Sequence, residues 1–310
     1  MNKLGKLVKS VRAFKEGLAQ PPAVTPALPR PRFGLAMGGG FARGMAHVGV
    51  LKALEDEGIP IDYIAGTSVG AVIAAMYASG VSVKEMTELA ALVRFKDFAR
   101  WTVSRFGFCS NDRMGPFLAK LLPCKTFEEL RMPLAVAATD FITGDPVVFQ
   151  SGSLVDAIRA SCAYPGMFLP VNVNGRLLVD GLLAHPVPVV PLRQMGADRV
   201  LGVYLSAHWV NVNGPKHVFD VIGQCFSIAQ AKMCQLWKGE ADLVIEPLVD
   251  GIGYDAFERS PELIASGERA AQAVMPELRK WFEAPVAVPA KARASAKFTP
   301  ATAPVAPAGS

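Results

Sequence analysis

The periodicity of apolar and polar positions changes within Ile61 to Gly80. Ile61-Asp62-Tyr63-Ile64-Ala65 reads as a β-type apolar run, Gly66-Thr67-Ser68-Val69-Gly70 breaks it, and the small residues from Val69 to Ser79 read as a helix. The order is strand, tight turn, helix. A serine at such a turn is pushed out of the sheet in a strained conformation, and glycines two residues to either side let strand and helix approach closely. Ser68 is therefore a candidate nucleophile; the alternative is that it only caps the helix behind it.

The same alternation precedes this stretch. Phe33–Met37 reads as a strand running into Gly38-Gly39-Gly40-Phe41-Ala42-Arg43-Gly44, and a helix from Met45 to Glu57 stops at Gly58. Two strands joined by a helix imply parallel neighbours, which puts both glycine turns at the carboxyl edge of one sheet, facing each other. Further helices are predicted over 83–93, 114–122, 153–161 with Ser153 as cap, 218–237 and 261–282. Strands are predicted over 134–141, 146–150, 176–179, 200–205 and 243–246. The aromatic run holding Trp101, Phe106 and Phe108 fits either a lid or core. Asp140 and Asp145 fall at strand-turn positions and read as structural, and Asp156 as capping or solvating a helix.

Composition changes the picture mainly at the ends. The formal charge of +5 divides into +6 over residues 1–32, +3 over 284–310 and −4 over 33–283, which does not support a nucleic-acid-binding core. In Met1–Gln20, Leu4, Leu7, Val8, Val11, Phe14 and Leu18 share an arc of roughly 120° with Lys3, Lys6, Lys9 and Arg12 mostly elsewhere. Such a helix suits an anionic membrane surface, packs on the domain or extends into solvent. Pro21–Arg32 reads as a stiff linker and Ala284–Ser310, rich in Pro and Ala, as a disordered tail, leaving 33–283 as one domain. Ile64–Val81 approaches membrane-span length, but its turn signals make it a strand end and a buried helix. The first 20 residues lack a signal peptide's apolar core. Five cysteines without C-x-x-C spacing fit a reducing compartment, and the four histidines (His47, His185, His208, His217) form no i, i+4 pair, so no metal site is expected.

A serine hydroxyl needs a base to take its proton and donors for the oxyanion that develops. Consecutive glycines at 38–40 let backbone N–H groups turn inward beside a helix start. A dinucleotide cradle is the competing reading, but the spacing here is G-x-G-x-x-x-G, and about 20 positions on there is a helix end and turn where that fingerprint expects an acidic residue closing a second strand.

The segment Gly38–Gly44 with Ala46-His47-Val48-Gly49-Val50-Leu51, then Gly66-Thr67-Ser68-Val69-Gly70, the stretch Ser161-Cys162-Ala163-Tyr164-Pro165-Gly166-Met167-Phe168-Leu169-Pro170, and Asp180-Gly181 together resemble the ordered motifs of the patatin-like phospholipases. The resemblance implies an α/β fold of three layers, α/β/α, around a mostly parallel central sheet. It implies a Ser68–Asp180 dyad in which Asp180 takes the serine proton, with Gly38, Gly39 and Gly40 as the oxyanion hole and no metal or cofactor. Arg43, in the family's basic position, would orient that loop or attract a lipid phosphate, or else form a surface ion pair. The implied substrate is a phospholipid or other acyl ester. The implied location is the cytoplasm, with the inner membrane surface reached through residues 1–20. Leu182 follows Asp180-Gly181 where the family carries a small residue, and could reshape the site. His185 stands where asparagine is common, so a triad through His185 is an alternative; His47 reads as packed within its helix. A general carboxylesterase or thioesterase, and a non-catalytic membrane or regulatory adaptor, fit the same motifs.

Overall fold

The computed structural model describes residues 30–104, 107–205, 214–215 and 218–283. The amphipathic segment 1–20, most of the Pro-rich linker, the tail 284–310, Phe106, His208, His217 and the side chain of Trp101 lie outside the described residues.

Strand β1 (Phe33–Met37) leads through a 3-10 turn (Phe41–Met45) into α1 (Ala46–Asp56); β2 (Tyr63–Thr67) then leads directly into α2 (Val69–Ala78). The helix expected from Met45 thus begins one residue later, because the glycine loop closes first into the tighter turn. Next come α3 (Val83–Ala90), β3 (Arg100–Ser104), β4 (Gly107–Ser110) and α4 (Met114–Leu121). They are followed by β5 (Leu134–Asp140), β6 (Pro146–Phe149), α5 (Leu154–Ser161) and the short strands β7 (Gly166–Phe168) and β8 (Val171–Val173). The last described elements are β9 (Arg176–Asp180), α6 (Val189–Met195), β10 (Arg199–Val203), α7 (Val218–Lys238), β11 (Leu243–Ile245) and α8 (Ser260–Glu283). The Ser153 hydroxyl caps α5 by accepting from the Asp156 amide, as its position predicted.

The main sheet runs β11-β10-β1-β2-β5-β9-β8, with β6 also on β5. The first five strands are parallel, and β6, β8 and β9 are antiparallel additions. Gly38 and Ser68 therefore both leave the carboxyl ends of neighbouring strands, facing each other as parallel pairing requires. Within the aromatic run between α3 and α4, β3 and β4 pair, and β4 adds β7 to make a small second sheet.

Strand side chains alternate in size as well as direction. Phe33, Leu35, Met37, Ile64, Leu134 and Val136 meet α1, α2, α3 and α8 on one face. On the other face Ala36, Ala65 and Ala135 admit α6 and Trp237 of α7 at closer range. Helices thus cover both faces, giving three layers. α1 and α8 cross through glycines: a Cβ at Gly49 would run into the backbone of Ile264, and one at Gly267 into the Ala46 carbonyl. Ion pairs Lys52–Glu268 and Arg279–Glu57 flank the crossing.

Because backbone lies against backbone there, Gly49→Val should cost about 3 kcal/mol or more by forcing the helices apart. Urea unfolding of the variant checks this; an unchanged midpoint would remove the crossing as a stability determinant.

Candidate active site

Ser68 links β2 to α2 with φ 56° and ψ −126°. Its own amide donates to Ser161 Oγ (2.8 Å), and the Ser161 hydroxyl donates to Ala137 O (2.6 Å). Its carbonyl accepts from the amides of Ala71 and Val72. The Ser68 hydroxyl makes no capping hydrogen bond to the helix. The helix-cap reading therefore fails, and the side chain is left to the site.

Asp180 closes β9 by a coincidence of register. β2 ends with Thr67 opposite Ala137 and β9 ends with Asp180 opposite Ala138, so two distant strands terminate on consecutive residues of β5. A Cβ at Gly181 would lie 3.1 Å from Thr67 Cγ2. The Asp180 carboxyl is fully buried: Oδ1 accepts from the Leu182 amide (3.0 Å), and among the described residues Oδ2 has no hydrogen-bond partner. Burial lifts its pKa to about 7, against the opposing pull of the Leu182 amide and the neighbouring Ser68 hydroxyl. Leu182 thus supports the carboxyl through its backbone rather than displacing it.

His185 does not complete a triad. Its backbone is tied to Gly181 O and the Thr67 hydroxyl, its ring makes no hydrogen bond among the described residues, and burial depresses its pKa to about 4. Cys162 was missed by the sequence reading. Its buried thiol lies close enough to Asp180 and Ser68 for both to act on its ionisation, and desolvation pushes its pKa far up. Its place directly after Ser161, whose hydroxyl holds the Ser68 amide, was the available signal.

The glycine loop divides. Gly38 donates its amide to Val203 O (3.0 Å), continuing the ladder between β1 and β10, so it is not the oxyanion donor expected of it. Among the described residues the amides of Gly39 and Gly40 donate to no acceptor, and neither does that of Val69 at the start of α2. A Cβ at Gly39 would lie 3.3 Å from Ser68 Cβ, so this loop stands directly against the serine. Arg43 is not on the surface: it is 5% exposed, its Nε donates to Ile252 O (2.8 Å), and burial lowers its pKa against the opposing pull of Asp250. It ties the loop to the chain ahead of α8. His47 is packed in α1 as expected, with Nε2 2.8 Å from Gly38 O.

Two cavities meet at Ser68 and Phe41. One, of about 100 Å³, is walled by apolar side chains, among them Met45, Met76, Met86, Phe98 and Phe117. The other, of about 250 Å³, carries Arg43, Tyr164, Gln224 and Lys232. Asp140 and Asp156 stay out of both: Asp140 holds the Ile142 and Thr143 amides and Arg176, and Asp156 pairs with Arg159.

Comparison with known proteins places relatives beside this chain. An NTE-family protein of Mycobacterium bovis is 35% identical over 223 residues, spanning 62% of this chain and 58% of its own length. The lysophospholipase nte1 of Aspergillus fumigatus is 29% identical over 63% of this chain and 13% of its own. Patatin-like phospholipase domain-containing protein 6 of Mus musculus is 34% identical over 54% of this chain and 13% of its own. The chain therefore spans at most about three fifths of the length of these relatives. The sequence profile of the patatin-like phospholipases matches residues 35–193, which include the glycine loop, Ser68 and Asp180, and the chain belongs to that family.

Proposed function

We propose that residues 33–283 form a serine lipid acyl hydrolase that cleaves fatty-acyl esters of phospholipids or lysophospholipids through a Ser68–Asp180 dyad. The observation that carries this reading is a serine hydroxyl set beside a buried carboxyl with a pKa of about 7, at the junction of an apolar and a polar cavity. Asp180 takes the Ser68 proton as Oγ attacks the ester carbonyl. The oxyanion points to the amides of Gly39 and Gly40, with Val69 as a third donor. Collapse expels the alcohol, which receives the proton from Asp180. Water then attacks the acyl-enzyme, Asp180 accepts its proton, and Ser68 regains one as the fatty acid leaves. The acyl chain occupies the apolar cavity, and the phosphate-bearing alcohol lies towards Arg43 and Lys232. The lysophospholipase name of the Aspergillus relative supports this substrate class. Among the described residues no helix is long and apolar enough to cross a membrane. On this reading the enzyme works from the cytoplasm, and residues 1–20 hold it to an anionic bilayer; their deletion should reduce flotation with anionic liposomes.

A fluorophosphonate should label Ser68 in the wild type and leave Ser68→Ala unlabelled. Asp180→Asn should lose about 10³-fold in kcat/KM. The wild-type kcat/KM should rise with pH through about 7, since the base acts only when deprotonated. Esters of long-chain acids should be preferred over butyrate; a short-chain preference would point to a general carboxylesterase instead.

Stability gives an independent check. A carboxyl whose pKa is raised on folding contributes stability that is fully present below the unfolded value near 4 and is lost as pH rises through about 7. Asp180→Asn, neutral throughout, should therefore gain on the wild type between pH 4.5 and pH 8, at up to about 1.4 kcal/mol per unit of raised pKa. Urea unfolding at both pH values measures it, and an equal difference at the two would contradict a raised carboxyl.

A further inference from the structure

We propose that His47 is a positioning residue that aims the Gly39 N–H at the oxyanion by holding the carbonyl oxygen of Gly38. The inference rests on the reading of Gly39 as an oxyanion donor. His47 lies in the first turn of α1, is fully buried, and places Nε2 2.8 Å from Gly38 O. A carbonyl oxygen only accepts, so Nε2 must carry the ring proton, and Nδ1 is bare; among the described residues Nδ1 is indeed buried without a partner. Burial also depresses the ring's pKa to about 4, so the neutral donor persists at any working pH.

The link to Gly39 is the planarity of the peptide. The oxygen of Gly38 and the N–H of Gly39 belong to one trans peptide and point in opposite directions. Drawing the oxygen towards α1 therefore drives the N–H away from α1, on a residue whose Cβ would touch Ser68. Consecutive glycines have little intrinsic resistance to rotating this peptide, and the rotated form would present an acceptor where the oxyanion needs a donor. Gly38 is fixed on both polar groups, its amide by Val203 O and its carbonyl by His47. Gly70 makes room for that carbonyl: a Cβ there would come within 2.6 Å of Gly38 O.

The full chain tests this in three ways. In ¹⁵N-histidine NMR spectra from pH 5.5 to 9, His47 should hold the Nε2–H tautomer; an Nδ1–H tautomer would overturn the inference, because Nε2 could not then donate. In kinetics, His47→Leu should lower kcat about 10- to 100-fold with KM within about threefold. His47→Gln, whose side-chain amide reaches the same carbonyl, should recover most of that loss. A folded His47→Leu with wild-type kcat, or a Gln variant as slow as Leu, would overturn it. The Gly39 amide resonance should shift in the Leu variant and return in the Gln variant, and an unmoved resonance counts against the proposal. Should His47→Leu not fold, the tautomer and the Gln variant still decide. If the wild type neither labels with fluorophosphonate nor cleaves esters, the hydrolase reading fails, while the tautomer and the Gly39 resonance still test the positioning role.

Discussion

Serine adopts φ near 56° only under compulsion, at a cost of about 1–3 kcal/mol, and the compulsion at Ser68 is the closeness of backbone on both sides. A Cβ at Gly70 would run into the carbonyls of Met37 and Gly38, and one at Gly66 into the backbone of Ala71. No side chain fits in either place. The first turn of α2 is thereby pressed onto the end of β1, and the chain between β2 and α2 has one way through. The same contact brings the glycine loop to Ser68, so on the hydrolase reading nucleophile and oxyanion donors are positioned by one piece of packing. Ser161 secures it from below by relaying the Ser68 amide to the Ala137 carbonyl.

Around this contact burial keeps the titratable groups from their ordinary charge. Asp180 is lifted to about 7, while His47 and His185 are depressed to about 4. Each is therefore biased towards its neutral form, and each polar contact that remains favours a particular atom. The Leu182 amide takes Oδ1 of Asp180 and, among the described residues, leaves Oδ2 unpaired, and Gly38 O takes Nε2 of His47 and leaves Nδ1 without a partner there. An unsatisfied buried oxygen costs folding energy, on the order of 1–3 kcal/mol. On the hydrolase reading, that cost at Asp180 is the counterpart of a base able to accept a proton near neutrality.

The elbow was legible because a change of period and two glycines are local features. So were the two facing glycine turns, since parallel pairing follows from a strand-helix-strand order. Asp180 was not legible from local pattern. It is one carboxylate among many, and only the resemblance to a family singled it out. The loss of Gly38 as a donor lay beyond the sequence, because whether its amide stays in the ladder depends on the register with β10, far along the chain. The strands β7 and β8 are three residues each and have no period to read. His47 was correctly placed in its helix, but its ring's partner depends on how close α1 comes to the end of β1.

The two sides of Ser68 differ in stiffness as well as polarity. The donor side is backbone held by hydrogen bonds and glycine contacts, with Phe41 itself at φ 52° in the loop. The apolar side is walled in part by Met45, Met76, Met86 and Met114, unbranched side chains with three rotatable bonds that repack at low cost. A rigid donor array sets the position of the reacting carbonyl, and a compliant wall tolerates variation in the chain behind it. On the hydrolase reading, discrimination between acyl chains is then weak beyond a need for length. Selection falls to the other cavity, where buried Arg43 and exposed Lys232 present positive charge to the leaving alcohol.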